Sequence, residues 1–147
     1  MPTHTAAVRQ KDRGRRTWLF WVTVWLAAGC GSKTPPKQLE SAESWAATTR
    51  ELAIQRRVGS VGRAYTEDML EAGRRDVREI ATAIDLSKLP PDARAAVPLA
   101  LARLDTLMRQ TAESVRRGDV VALGLDAAAA DALGDTLRAL RTKAGGE

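Results

Sequence analysis

From about Gln38 onward the apolar positions of this chain recur every three or four residues. One run is Leu70, Gly73, Val77, Ile80 and Ile84, spaced 3, 4, 3, 4. The next is Val97, Leu101, Leu104, Met108, Thr111 and Val115, spaced 4, 3, 4, 3, 4, and a later one is Ala130, Leu133, Leu137 and Leu140, spaced 3, 4, 3. Each spacing lays a narrow apolar stripe along one face of a helix. An earlier run is fainter: Leu39, Ala42, Ala46, Thr49 and Ala53 share a face, flanked by Trp45 and Leu52. No stretch alternates with the two-residue period of a strand.

The breaks between these runs fit the pattern. Val58-Gly59-Ser60-Val61-Gly62 separates the first two segments, and Leu86-Ser87-Lys88-Leu89-Pro90-Pro91 the middle pair, with Pro91 suited to the first position of a helix. Gly118-Asp119 separates the last two, glycine as the stop of one helix and aspartate as the N-cap of the next. Pro98 falls inside the third segment, where it should kink the helix or delay its start. Acids lead the segments (Glu40 and Glu43, Glu67 and Asp68, Asp92, Asp119). Bases close three of them (Arg56-Arg57, Arg116-Arg117, and Arg138 with Arg141 and Lys143), as the helix dipole favours. Glu71–Arg75, Asp105–Arg109 and Glu113–Arg117 have the spacing of helical ion pairs. Four amphipathic segments with short breaks predict an all-α fold, a small antiparallel four-helix bundle over residues 38–147. Gly124, Gly134 and the alanines at 127–130 should let the fourth helix pack closely.

Charge and composition change the picture mainly at the N-terminus. Arg9, Lys11, Arg13, Arg15 and Arg16 stand against a single acid, Asp12. From Cys30 onward there are 18 Lys or Arg and 17 Asp or Glu, a net charge of +1. The basic pI therefore belongs to the start of the chain and is no evidence of a nucleic-acid footprint on the folded part. Behind the basic start, residues 18–28 are apolar apart from Thr23. That run of about a dozen residues falls short of the ~20 a membrane span needs. A basic start, a short apolar run and a small-residue site are the ordered parts of a secretory signal.

The run ends in Leu26-Ala27-Ala28-Gly29-Cys30-Gly31-Ser32. This resembles the lipobox of bacterial lipoproteins, where small residues precede an obligatory cysteine. Leu26 stands one place further back than usual, with Ala27 in its position. The resemblance implies a precursor whose residues 1–29 are a signal peptide, cleaved between Gly29 and Cys30, with acyl chains on the Cys30 thiol. It implies localisation to a cell membrane or outer membrane, facing the periplasm or exterior. Gly31 after the cysteine resembles the pattern that permits outer-membrane sorting. Arg15-Arg16-Thr17-Trp18-Leu19 is similar to a twin-arginine export motif, but Gly14 precedes it and no Lys follows, so it reads as an ordinary basic start. Residues 30–37, with no apolar side chain between Gly31 and Lys37, read as the lipidated cysteine and a flexible tether in which Pro35-Pro36 favours polyproline geometry.

Little in the mature chain carries chemistry. The only histidine is His4, and the only thiol is Cys30. Di-metal bundles use Glu-x-x-His and haem sites use His, Cys or Met, so no metal or cofactor is expected. Met69 and Met108 read as core. Glu67, Asp68 and Glu71 read as a solvated turn before they read as a cation site. Arg74, Arg75 and Arg78 read as solvent-facing partners of Glu71 and Glu79, with contact to anionic lipid or an acidic partner as the second reading. Trp45 is equally an interface anchor or the edge of the core. No nucleophile motif or phosphate loop is present, and the chain is not expected to be an enzyme. The expectation is a membrane-anchored envelope lipoprotein whose helical module binds an envelope protein. The alternative is a carrier holding a lipid or other apolar ligand inside the bundle.

Overall fold

A computed structural model describes residues 33–145. They form four helices: α1 (Pro35–Arg57), α2 (Arg63–Ala83), α3 (Pro91–Arg117) and α4 (Val120–Lys143), with a 3₁₀ turn at Leu86–Lys88. No strand occurs among the described residues. The helices run up, down, up and down as an antiparallel bundle. α4 lies against α1 along most of its length, α2 against α3, and α3 against α4, while α1 and α2 touch over a shorter stretch. Residues 33–147 make a compact unit of their own.

Every position of the four stripes is buried. The faint first stripe is the most completely enclosed: Leu39, Ala42, Ala46, Thr49 and Ala53 are all at 0% exposure. Its small side chains bring the axis of α1 close to the alanine-rich α4. Fully buried leucines (Leu39, Leu70, Leu101, Leu104, Leu123, Leu137) then fill the space between the four helices. Each contributes about 1.5–3 kcal/mol relative to an exposed leucine.

Helix starts differ from the sequence expectation. α1 begins at Pro35, so Pro35 and Pro36 open a helix instead of extending a tether. The first turn leaves its N–H groups without intrahelical partners in any case, so a proline there forfeits nothing and brings a helical φ. Consequently Glu40 falls in the second turn of α1 and Glu43 in the third, and Glu67 and Asp68 fall in the second turn of α2, all beyond the strongest part of the dipole. Asp92 does lie in the first turn of α3, and Asp119 caps α4 by accepting from the Ala122 N–H at 2.9 Å. Gly118 closes α3 at φ +65°, a left-handed conformation that favours glycine.

Pro98 does not delay the start of α3, which runs from Pro91 to Arg117 with the proline inside it. Its ring and Arg94, whose carbonyl loses the i+4 donor, are both exposed, so solvent can serve the orphaned oxygen. The connection before α3 is held by side chains. The Asp85 carboxylate accepts from Ser87 N at 3.1 Å and Ser87 Oγ at 2.6 Å, and the Arg94 Nε donates to the Leu89 carbonyl at 2.9 Å. Leu89, at 2% exposure, closes that end of the core.

Candidate functional site

Gly29 and Cys30, the residues predicted to flank the cleavage and carry the lipid, lie outside the described residues. What the structure does place are the side chains singled out in the helical part.

Trp45 belongs to the core edge. Its ring covers Gly73 of α2 so closely that a Cβ at residue 73 would lie 2.6 Å from Trp45 Cε3 and 3.0 Å from Met108 Cε. Its indole Nε1 donates to Asp76 Oδ2 at 3.1 Å. The apolar body of the ring thus packs between α1 and α2, and its N–H is satisfied at the surface. Gly73 is therefore the close-approach glycine. Gly134, expected in that role, has room for a methyl group, whose nearest neighbour would be Ala46 Cβ at an ordinary 3.8 Å. Met108 is fully buried and Met69 packs against the core, as their stripes require.

The acidic turn of α2 is divided among arginines. Glu67 pairs with Arg63 at 2.6 Å and Arg116 at 3.6 Å, and Glu71 with Arg74 at 3.0 Å. No cluster of three or more metal-ligating side chains occurs among the described residues. Arg74 and Arg78 both turn onto Asp105 of α3, at 3.2 and 3.0 Å. The expected partners Arg75, Glu79 and Arg109 are bypassed because a carboxylate on the facing helix sits between the two guanidinium groups. Glu113–Arg117 forms at 3.6 Å, at the i+4 spacing expected.

One cluster was not legible in the sequence. Glu43 of α1 accepts from Arg138 Nε at 2.8 Å and faces Arg141 Nε at 3.2 Å, an ion pair without the angle of a hydrogen bond. The Glu43 side chain is only 16% exposed. Its hydrogen bond and charge raise the pKa of Arg138 above its ordinary value. The one clue in the sequence is positional: Glu43 follows the buried Ala42, and the arginines follow Leu137 and Leu140. These residues border an open, charged groove of about 340 Å³ between α1 and α4, in which Arg50–Asp131 at 3.2 Å and Arg138–Asp135 at 2.9 Å neutralise one another.

A second groove, about 580 Å³, lies between α3 and α4. Leu99, Leu107, Leu133, Ala129 and Ala132 make it apolar, and Arg103 stands on its rim. It opens to solvent on the outside of the bundle, whereas the four stripes enclose the interior. No helix of the described residues is long and apolar enough to cross a membrane. No family model, curated protein or solved structure matches the chain.

Proposed function

We propose that the chain is the precursor of a bacterial lipoprotein, cut before Cys30, whose acylated cysteine holds a non-catalytic helical interaction module at the surface of the cell envelope. The observation that carries this reading is the order of parts at the N-terminus: basic start, short apolar run, then Ala27-Ala28-Gly29-Cys30. The thiol supplies the nucleophile that takes the first lipid, and two acyl chains at ~0.8 kcal/mol per buried methylene make an anchor that one chain does not. The start of α1 at Pro35 supports the arrangement, since the folded unit then begins directly after the cysteine and a few polar residues. Its mature partners are the membrane, through the acyl chains, and a protein of the envelope. Intact-mass measurement of protein from its native host tests the reading. The expected species begins at residue 30 and carries the added mass of acyl chains, and Cys30→Ser abolishes both the addition and the cleavage. A free thiol with residues 1–29 attached would overturn the proposal.

The groove between α3 and α4 favours a second reading, a carrier of an apolar ligand, with the ligand in that surface groove. Native mass spectrometry of purified residues 33–147 distinguishes the two. A retained hydrophobic molecule lost on Leu133→Arg supports the carrier, and a ligand-free mass supports the interaction module.

A further inference from the structure

The end of the bundle made by residues 58–62 and 118–119 has a composition found nowhere else on the surface of the described residues. Residues 56–63 and 116–121 hold five arginines (Arg56, Arg57, Arg63, Arg116, Arg117) and one acid, Asp119. The Asp119 carboxylate is occupied in capping α4. The carboxylates that meet these arginines, Glu67 and Glu113, lie one helical turn behind the tip. Four valines share the same two segments: Val58, Val61, Val120 and Val121. Val58 and Val121 are 71% and 72% exposed, and Leu125 and Tyr65, just behind them, are 70% and 55% exposed. Among the described residues, Leu99 is the one large apolar side chain exposed away from this end. Contacts between helices hold the two segments together: Arg116 meets Glu67 at 3.6 Å, and the Arg57 guanidinium lies against Gly124.

Folding gains nothing from apolar side chains that remain in water, so their concentration at one end points outward. Guanidinium groups bind phosphate oxygens in pairs of hydrogen bonds. Aliphatic side chains interleaved with them can enter the zone beneath the headgroups, and a tyrosine suits the boundary between the two. The shape also bears on the partner. The tip is two short connections around Gly59, Gly62 and Gly118, each with open space where a side chain would stand. A fluid bilayer moulds itself around such a tip, whereas a folded acidic protein would need a matching surface. Segments rich in arginine are drawn to anionic leaflets.

We propose that this loop end is a lipid-contact surface that docks on anionic phospholipid bilayers, its valines and Leu125 entering the interface and its arginines engaging phosphate. The proposal goes beyond the acyl anchor and does not rest on it. The tip lies at the far end of α1 from Pro35, about 35 Å away for 23 residues at ~1.5 Å each.

The test is sedimentation of residues 33–147, a compact unit of their own, with large vesicles of equal phosphatidylglycerol and phosphatidylcholine or of phosphatidylcholine alone. The expected result is at least tenfold stronger partitioning onto the anionic vesicles at low salt. Val58→Ser with Val121→Ser should reduce it at least fivefold, and Arg57→Gln with Arg117→Gln should remove the preference for phosphatidylglycerol. All should keep wild-type helical circular dichroism, because these side chains are exposed. Leu99→Ser should bind as wild type. Equal partitioning onto both vesicles, or tip variants that bind as wild type, overturns the proposal. So does binding abolished by Leu99→Ser alone, or tighter binding to soluble polyglutamate than to vesicles. The outcome is separable from that of the anchor: an unmodified Cys30 in the host leaves vesicle binding untouched, and acylated protein whose soluble domain ignores vesicles keeps the anchor and loses the tip.

Discussion

At the scale of single residues, two glycines in similar helical settings should respond in opposite ways to the same methyl group. Gly73→Ala drives a Cβ into the Trp45 ring, a rigid neighbour. Overpacking costs about 1–3 kcal/mol and the better helix propensity returns up to ~1, so a net loss of about 1–2 kcal/mol is expected. Gly134→Ala meets only Ala46 at contact distance and should gain about 0.5–1 kcal/mol. Urea melts of residues 33–147 measure both. Trp45 is the only tryptophan after Cys30, so its emission should also shift in the first variant and stay fixed in the second. Acid sensitivity is a residue-scale property too. The Ser87 hydroxyl bound to Asp85, and the Lys143 ammonium bound to Asp92, hold both carboxylates below their ordinary value near 3.8. A depressed folded pKa contributes stability that is present above the unfolded value and disappears as pH falls through the folded one. Stability should therefore be flat above about pH 5 and fall below about pH 4. Asp92→Asn should flatten part of that fall in a melting-temperature series.

At the scale of elements, the periodic stripes were readable because a helix that buries one face must repeat every three or four residues whatever its partners are. Leu70, Val77, Leu101, Leu104 and Leu137 all follow from that rule, and the Gly118 stop and the Asp119 cap follow from the unpaired backbone groups at helix ends. What the rule cannot supply is the neighbour. Asp105 has an arginine four residues along its own helix, yet it takes Arg74 and Arg78 from α2 because packing brings them nearer. Trp45 and Glu43 were ambiguous or silent for the same reason, their roles being set by Gly73 and by Arg138 on other helices. The proposed cleavage site at Gly29 and Cys30 lies outside the described residues. Pro98 supplies the element-scale prediction. It interrupts the hydrogen bonding of α3 on an exposed face without disturbing the stripe, so Pro98→Ala should stabilise the domain by about 1–3 kcal/mol. An unchanged melting temperature would mean that α3 already absorbs the proline at no cost.

At the scale of the whole molecule, the most extensive interface joins the first helix to the last. The Glu43–Arg138 bond spans 95 positions in the chain. Removing α4 strips α1 of its main partner and uncovers the side of its stripe that faced α4, leaving α1 only its shorter contacts with α2 and α3. A fragment ending at residue 118 should accordingly show no cooperative thermal transition, whereas residues 33–147 should melt in one step, followed by circular dichroism.

That order of assembly has a consequence for a chain made from its N-terminus. The helix that completes the bundle is also the last of the four to leave the ribosome, so α1 waits without its main partner until α4 has been made. On the export route proposed above, a machine that threads only unfolded polypeptide would meet a product still pliable, and the bundle would shut once α4 had followed the other three helices across.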